Sequence, residues 1–349
     1  MTDLIIPLHP HGESIIDESL TVAKIVDAAH KADQVIINFL GEAAPVEELI
    51  WLGKKFIIVL ETICKENNWP KHKFRLVTGN WIQDDNVWPN IRIKDHLLIN
   101  AFTHMQSQTI ATNKNFTRHF GNFIGGSSFS RLFIASQLFT KFKDKTCQTF
   151  RRDPTNPMHA SKLYIDQLIF QFANEKLWQN QYLNDISDLL AACPIEKDHD
   201  KHLLNKDHHG YEEGAWDSEI LSWYNSFFCD IVCNTFVLGK QFCLDEKIGR
   251  PIVMGNPFIV LGPKGYLHHL KRLGFKTFGT FWNESYDDTT GAQRCVAVMD
   301  LIAQLSKKTL SEIKAMHKEM QPILAHNQQR YQQIDQQQIL KHFPKVDIS

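Results

Sequence analysis

Apolar runs that end in glycine alternate along this chain with segments whose apolar residues recur at helical spacing. Residues 34–42 (QVIINFLGE) and 74–81 (FRLVTGNW) are two such runs. Between them, residues 45–66 carry apolar side chains at helical intervals, with Pro45 in the first turn of the predicted helix. A strand, a helix and a strand of these lengths predict a βαβ unit, and therefore a parallel sheet covered by helices. We predict a third strand over residues 97–102.

The same alternation restarts near residue 120, which predicts a second α/β domain joined to the first near residues 112–120. The predicted elements are a strand, turn and helix over residues 122–139, a strand over 147–154, helical sequence over 160–192, a polar loop over 196–214, a strand over 226–237 and a helix over 291–305. Thr309 and Glu312 have the spacing of a capping box at the start of a further helix. The glutamine-rich residues 328–338 predict a solvated helix lying on the surface or against the first domain.

The composition of the chain limits its possible binding partners and its cellular compartment. The chain has 349 residues, enough for two domains, and its formal net charge of -1 argues mildly against duplex DNA as the main partner. Seven cysteines, an odd number without a CxxC pair, predict buried free thiols in a reducing compartment. The first residues lack a signal-peptide pattern, and no run of about 18 apolar residues occurs. We therefore predict a cytoplasmic protein without a membrane span.

The segment 242–278 carries the strongest chemical signal. Asp245 and Glu246 precede a short apolar-faced helix, where acidic side chains are favourable as helix caps. Lys247 is unfavourable in that first turn unless an anion compensates its charge. Amide groups at a helix start beside a cation form a phosphate site, and a neighbouring carboxylate can accept hydrogen bonds from sugar hydroxyls. Because ligands of open α/β sheets bind at the carboxyl ends of strands, we predict a nucleotide-phosphate site here.

Two stretches of this half of the chain also resemble a known family. FFCDIVCNTFVLGKQFCLDEKIGRPIVMGNPFIVLG and the following LGFKTFGTFWNESYDD resemble the donor-binding segment of GT-B glycosyltransferases. The resemblance is strongest to the fucosyltransferase-like group and to related bacteriophage and giant-virus glycosyltransferases. GGSSFSR, residues 125–131, resembles the start of their donor domain. The resemblance covers roughly residues 120–305, with LDEK in place of the family's VTEK.

The resemblance implies a GT-B fold, in which two Rossmann-like, doubly wound α/β domains face a cleft. Residues 1–118 would form the acceptor-side domain, residues 119–308 the nucleotide-sugar donor domain and residues 309–349 a C-terminal helical tail. The implied activity is transfer of a sugar from a nucleoside-diphosphate sugar to an acceptor hydroxyl, without a metal or a cofactor. The acceptor stays open among a polysaccharide, a glycan, a protein side chain and a hydroxymethylated base in phage DNA, and so do the sugar, the nucleotide and the oligomeric state.

Carried over position by position, the resemblance implies that Glu246 binds the ribose or the donor sugar and that Lys247 binds the pyrophosphate. The further donor-side residues would be Arg250, Arg131, Asn234 and one of Arg151 and Arg152. Asp245 stands where the family has threonine, and a carboxylate there would repel a diphosphate. The acceptor base is expected after a strand of the facing domain, where the candidates are Glu42, Asp84, Asp85 and His104. Spacing singles out none of these four.

Alternative interpretations remain at several points. An epimerase or a phosphorylase with the same architecture, or a non-catalytic protein that binds carbohydrate or nucleic acid, fits the same pattern. The histidine-rich residues 198–209 are interpreted as a solvated loop rather than a metal site, because they lack cysteine and a HExxH order. Glu284 and residues 286–288 suit either a loop near the donor or a helix cap.

Overall fold

The structure is a computed structural model. It describes residues 3–8, 10–11, 14–15, 19–39, 44–69, 73–81, 92–93, 114–124, 128–150, 180–193, 195 and 218–344. The predicted strand over 97–102, most of the predicted helical sequence over 160–192 and the loop over 196–214 lie outside these residues.

The first part of the chain forms a four-stranded parallel sheet and two helices. Its elements are β1 (Asp3–Pro7), β2 (Pro10–His11), β3 (Ser14–Ile15), α1 (Val22–Lys31), β4 (Gln34–Asn38), β5 (Ile50–Trp51), β6 (Lys54–Lys55), α2 (Phe56–Glu66), β7 (Phe74–Thr78) and β8 (Arg92–Ile93). The order in the parallel sheet is β1-β4-β7-β8, and the short strands form a separate small sheet of mixed pairing in the order β2-β3-β5-β6. Val35 and Ile37 of β4 are fully buried, as the apolar run predicts. The strands predicted from residues 34–42 and 74–81 are therefore confirmed.

The helix predicted over residues 45–66 is wrong in its first half. Strands β5 and β6 form an antiparallel hairpin there, and α2 begins only at Phe56. The two turn residues, Leu52 and Gly53, have positive φ angles of 51° and 72°. A two-residue hairpin turn of this kind requires positive φ at both central positions. Leucine rarely adopts that conformation, so the sequence signals the turn only through Gly53.

The second part forms another four-stranded parallel sheet, surrounded by helices. Its elements are β9 (Arg118–Ile124), α3 (Phe129–Lys141), a 3-10 turn (Lys143–Lys145), β10 (Thr146–Phe150), α4 (Asn180–Ala192), α5 (Ser218–Ser226), β11 (Phe227–Cys233), α6 (Glu246–Met254), β12 (Phe258–Leu261), α7 (Tyr266–Arg272), a second 3-10 turn (Ser285–Asp288), α8 (Gly291–Leu305), α9 (Leu310–Gln333) and α10 (Gln336–His342). The strand order is β10-β9-β11-β12. All three pairs are parallel, and every residue of β11 is buried.

Most elements predicted for this part are confirmed. The helix over residues 291–305 has the expected bounds, and Thr309 and Glu312 form the predicted capping box at the start of α9. The glutamine-rich end of the chain differs from the prediction of a solvated helix. Ile334 and Ile339 are buried there, and both belong to the core of the second sheet. Apolar residues between the glutamines thus fasten α9 and α10 to that core.

Each sheet has its own hydrophobic core, and the segment between β11 and α6 contacts both parts. Phe236 packs into the core of the first sheet. Phe242 packs into the core of the second sheet, and its backbone amide donates to the Asn80 side chain over 2.8 Å. The carbonyl of Phe242 accepts from the amide of Trp81, also over 2.8 Å. The protein is therefore an α/β protein with Rossmann-like parallel sheets, in which residues 234–245 lie between them.

In the part of the chain that the structure describes, we find no helix with the length and apolar character needed to cross a membrane.

Candidate functional site

The candidate site lies where the strand order of the second sheet reverses. From β9 the chain passes to β10 on one side, and later returns to place β11 on the other side of β9. Helices leave the carboxyl ends of two adjacent strands in opposite directions at such a point, which opens a crevice that binds ligands in α/β proteins. Here the crevice is bordered by the start of α3 and by the residues that follow β11.

Arg131, in the first turn of α3, connects these two borders. Its side chain is 8% exposed, and Nη2 donates to the carbonyl of Cys233 over 3.3 Å and to Oγ1 of Thr235 over 3.1 Å. Burial raises the pKa of the Cys233 thiol to about 12, and the positive charge of Arg131 opposes that rise. The guanidinium is thus fixed at the carboxyl end of β11.

The first backbone amides of α6 are bound by the side chain of its N-cap residue, Asp245. The carboxylate of Asp245 accepts from the backbone amide of Lys247 over 3.1 Å and from that of Ile248 over 3.3 Å. Burial raises the pKa of Asp245, while Lys247 opposes the rise. Asp245 is therefore the N-cap of α6, and its carboxylate occupies two of the backbone amides at the helix start.

Lys247 folds back onto two neighbouring carboxylates. Its Nζ lies 2.6 Å from Oε1 of Glu246 and 3.4 Å from Oδ2 of Asp245, and its side chain is 26% exposed. Burial lowers the pKa of Lys247, but Asp245 and Glu246 outweigh this effect and raise it. Burial likewise raises the pKa of Glu246, whereas Lys247 and Arg250 outweigh it and bring that pKa down to about 2. Both side chains are charged across the physiological pH range.

Two carboxylates and three cations therefore meet near the switch point. The Arg131 charge acts on Lys247, and the Arg250 charge acts on Glu246, so the five groups form one electrostatic cluster with a net positive charge. Because Asp245 holds the first amides of α6, the positive charge of the cluster is carried by side chains rather than by the helix start. Asn234 borders the cluster, and its backbone amide donates to the carbonyl of Leu261.

A buried polar network lies beneath α6. The hydroxyl of Tyr224 donates to Oδ2 of Asp230 over 2.9 Å. Burial raises the pKa of Asp230 to about 7, against the lowering effects of the Tyr224 hydroxyl and of Arg250. The sequence analysis missed Asp230, although an acidic residue inside the apolar run FFCDIVC was a signal that could have identified it.

The far end of α6 is held by Lys114, which the sequence analysis also missed. Its Nζ donates to the carbonyl of Met254 over 2.7 Å, to the carbonyl of Tyr224 over 3.3 Å and to Oδ1 of Asn256. Burial lowers the pKa of this amine to about 7. The charged form of this amine has three N–H donors for these three acceptors, and in that form it complements the dipole at the helix C-terminus.

The residues around the second 3-10 turn have a structural role. Both carboxylate oxygens of Asp287 accept from the amide of Leu267 at the start of α7, and Oδ1 accepts from the buried Arg294 over 2.8 Å. The helix-cap interpretation is therefore confirmed for Asp287, whereas Glu284 makes no side-chain cap bond and accepts instead from the Thr277 hydroxyl and the Phe278 amide.

The structure brings together five of the residues expected from the sequence. These are Glu246, Lys247, Arg250, Arg131 and Asn234. The other candidates lie outside the described residues, and these are Arg151, Arg152, Glu42, Asp84, Asp85 and His104. The histidine-rich residues 198–209 lie outside them as well. Within the described ranges, no three His, Cys, Asp or Glu side chains are grouped so that they could hold a metal ion.

No protein-family model matches the chain, and no curated protein sequence matches it.

Proposed function

We propose that this protein is a glycosyltransferase that moves a sugar from a nucleoside-diphosphate sugar to an acceptor hydroxyl. The observation that carries the proposal is the group of three cations, Arg131, Lys247 and Arg250, near the switch point of a parallel sheet. Ligands of this fold class bind at that point, and a cationic group there favours a phosphate-containing ligand.

The chemistry of sugar transfer suits these residues. Cleavage of the bond between the sugar and the diphosphate leaves negative charge on the departing diphosphate. Fixed cations in a poorly solvated site stabilise that charge without having to reorganise, so this mechanism requires no metal. Arg131 is fixed by its bonds to Cys233 and Thr235. Glu246 stays ionised down to a pH of about 2 and can accept hydrogen bonds from ribose hydroxyls.

The proposal includes a GT-B arrangement with the acceptor bound on the side of the first sheet. Two parallel sheets with separate cores support it, as does the contact between Trp81, after the end of β7, and Phe242, after the end of β11. The acceptor base would come from the side of the first sheet, and the candidates predicted from the sequence are Glu42, Asp84, Asp85 and His104. A glycan, a protein and a modified DNA base remain the proposed acceptor classes.

The test is ligand-induced stabilisation of the purified protein by UDP, GDP, CDP, dTDP and CMP. A nucleotide at about 100 times its dissociation constant adds about 2.7 kcal/mol to the free energy of unfolding. We expect one nucleotide to stabilise the wild type and the control Lys307→Met, which changes an exposed lysine. Lys247→Met should lose most of that shift.

Lys247→Met also removes an ion-pair partner from two carboxylates, so its own melting temperature will fall. The comparison is therefore the shift caused by ligand within each variant. If no nucleotide stabilises the wild type, or if Lys247→Met responds like Lys307→Met, the proposal is wrong.

A second function, ligand binding without transfer, is favoured by one specific observation. Asp245 already holds two amides of α6, and Lys247 is already paired with two carboxylates, which is the arrangement of a well-capped helix. A non-catalytic carbohydrate-binding or nucleotide-binding protein would tolerate this arrangement. Release of nucleoside diphosphate from a nucleotide sugar in the presence of acceptor distinguishes the two, because only the transferase produces it.

A further inference from the structure

Gln241 is a buried polar residue for which the structure supplies no polar partner. Its side chain is 3% exposed. Neither Oε1 nor Nε2 has a hydrogen-bond partner among the described residues. A buried amide left unpaired destabilises the folded state, and such groups are rare in folded proteins. The amide of Gln241 is therefore available, in hydrogen-bonding terms, to a group that the protein itself does not supply.

The position of Gln241 indicates which kind of group pairs with its amide. It lies in the segment between β11 and α6, four residues before the cap Asp245, and the next residue, Phe242, bonds to Asn80 and Trp81 of the first part. Gly239 turns the segment with a φ angle of 77°.

The direction of the amide follows from its neighbours. A Cβ atom on Gly239 would lie 2.6 Å from Oε1 of Gln241 and 2.8 Å from the Cβ of Pro45. The amide oxygen is therefore held close to the loop of residues 44–48, between the two sheets. A bulkier residue at position 239 would displace either the amide or that loop, so the glycine preserves the close approach.

We propose that Gln241 recognises the transferred sugar, with Nε2 donating to one sugar hydroxyl and Oε1 accepting from another. This inference rests on the proposed function, and it adds which residue recognises the sugar. A neutral donor and acceptor side by side match adjacent sugar hydroxyls, whereas the diphosphate is matched by the cations near α6. A ligand whose phosphates lie at that cluster, and which extends towards the first sheet, brings its sugar to this segment.

The proposal predicts opposite effects of one substitution on stability and on binding. Gln241→Met has similar volume and no unpaired amide, so the protein without ligand should melt about 2–6 °C higher than the wild type. Its affinity for the nucleotide sugar should fall roughly 5- to 30-fold, which is the loss of one or two neutral hydrogen bonds. Its affinity for the parent nucleoside diphosphate should change less than about twofold, because the diphosphate does not reach the amide.

The experiment measures dissociation constants for UDP-glucose, GDP-mannose and dTDP-glucose beside UDP, GDP and dTDP. The proteins are the wild type, Gln241→Met and the control Gln304→Met, which changes an exposed glutamine of α8. Gln241→Leu serves as a second apolar variant if the methionine variant folds poorly. The proposal is supported if Gln241→Met loses affinity for a nucleotide sugar but not for its parent diphosphate, and if Gln304→Met loses affinity for neither.

Two results overturn it, and they differ. In the first, the parent diphosphates bind the wild type, but Gln241→Met weakens the affinities for the nucleotide sugar and for its parent diphosphate equally, or changes neither affinity. Gln241 then does not recognise the sugar, and the proposed function still stands. If no diphosphate binds the wild type, the proposed function fails and this inference fails with it.

Discussion

Removing the carboxylate of Asp287 should destabilise the protein more than any surface substitution nearby. Asp287 accepts from Arg294, whose side chain is fully buried, and from the amides of Leu267 and His268. It thereby joins the start of α7 to α8 at the end of β12. Arg294 also donates to the carbonyl of Pro263, so the guanidinium cannot leave without breaking further bonds.

The size of the effect follows from these contacts. Breaking a buried ion pair by removing one partner costs about 3–5 kcal/mol, because the other charge stays buried without compensation. Loss of a helix cap costs about 1 kcal/mol. These terms share the same carboxylate and are not additive, so we expect Asp287→Ala to lower the free energy of unfolding by about 4 kcal/mol.

The control is the adjacent Asp288, whose side chain is exposed. Asp288→Ala should change stability by less than about 0.5 kcal/mol. Urea unfolding at pH 7, followed by far-UV circular dichroism, compares the two variants with the wild type. Equal midpoints for the two alanine variants would refute the reasoning. A normally stable Asp287→Ala that had lost nucleotide binding would instead place Asp287 in the ligand site.

Two further predictions concern the buried network and the end of the chain. Burial raises the pKa of Asp230 from 3.8 to about 7, so the folded protein holds this proton more tightly than the unfolded chain and loses stability as pH rises across that window. Asp230→Asn removes this dependence. The free energy of unfolding of the variant, measured with urea and relative to that of the wild type, should therefore rise by on the order of 3 kcal/mol between pH 4 and pH 8. A difference that stays constant with pH contradicts the assignment. Phe343 lies with its ring centroid 5.4 Å from that of Phe242 and 5.7 Å from that of Trp81. Phe343→Ala should cost about 3 kcal/mol in thermal unfolding and Phe343→Leu clearly less, whereas equal and negligible effects would mean that α10 is not held by this ring.

The fold of the second sheet was predictable because its strands are continuous apolar runs bounded by glycine, proline or polar residues. β11 and β12 are buried throughout, and Gly255 ends α6 with a positive φ angle of 65°. The β5–β6 hairpin was not predictable, since its turn places Leu52 in a conformation that leucine rarely adopts. Trp51 and Phe56, on either side of that turn, pack edge to face with ring centroids 5.6 Å apart, a contact that sequence spacing does not reveal.

At the start of α6 the positions of the residues were predictable from the sequence, but their contacts were not. The sequence placed Glu246 and Lys247 at a helix start, which is where they are. Adjacent residues on a helix point in different directions, so spacing gave no indication that Lys247 folds back onto Glu246 and Asp245. Nor could it show that Arg131 reaches the end of β11, a contact between residues more than a hundred positions apart.

Helix α6 is fixed at both ends by charges that complement its dipole, and this bears on how the proposed site would work. Asp245 caps its first turn, and Lys114 donates to the carbonyl of Met254 at its last turn. The cations beside α6 are therefore positioned before a ligand arrives, so binding need not spend free energy on ordering them. The charge of Lys247 is also balanced before a ligand binds, because this side chain is paired with Glu246. A diphosphate would exchange one anionic partner for another, and its affinity would depend on the difference between the two interactions rather than on the full attraction of an unpaired lysine.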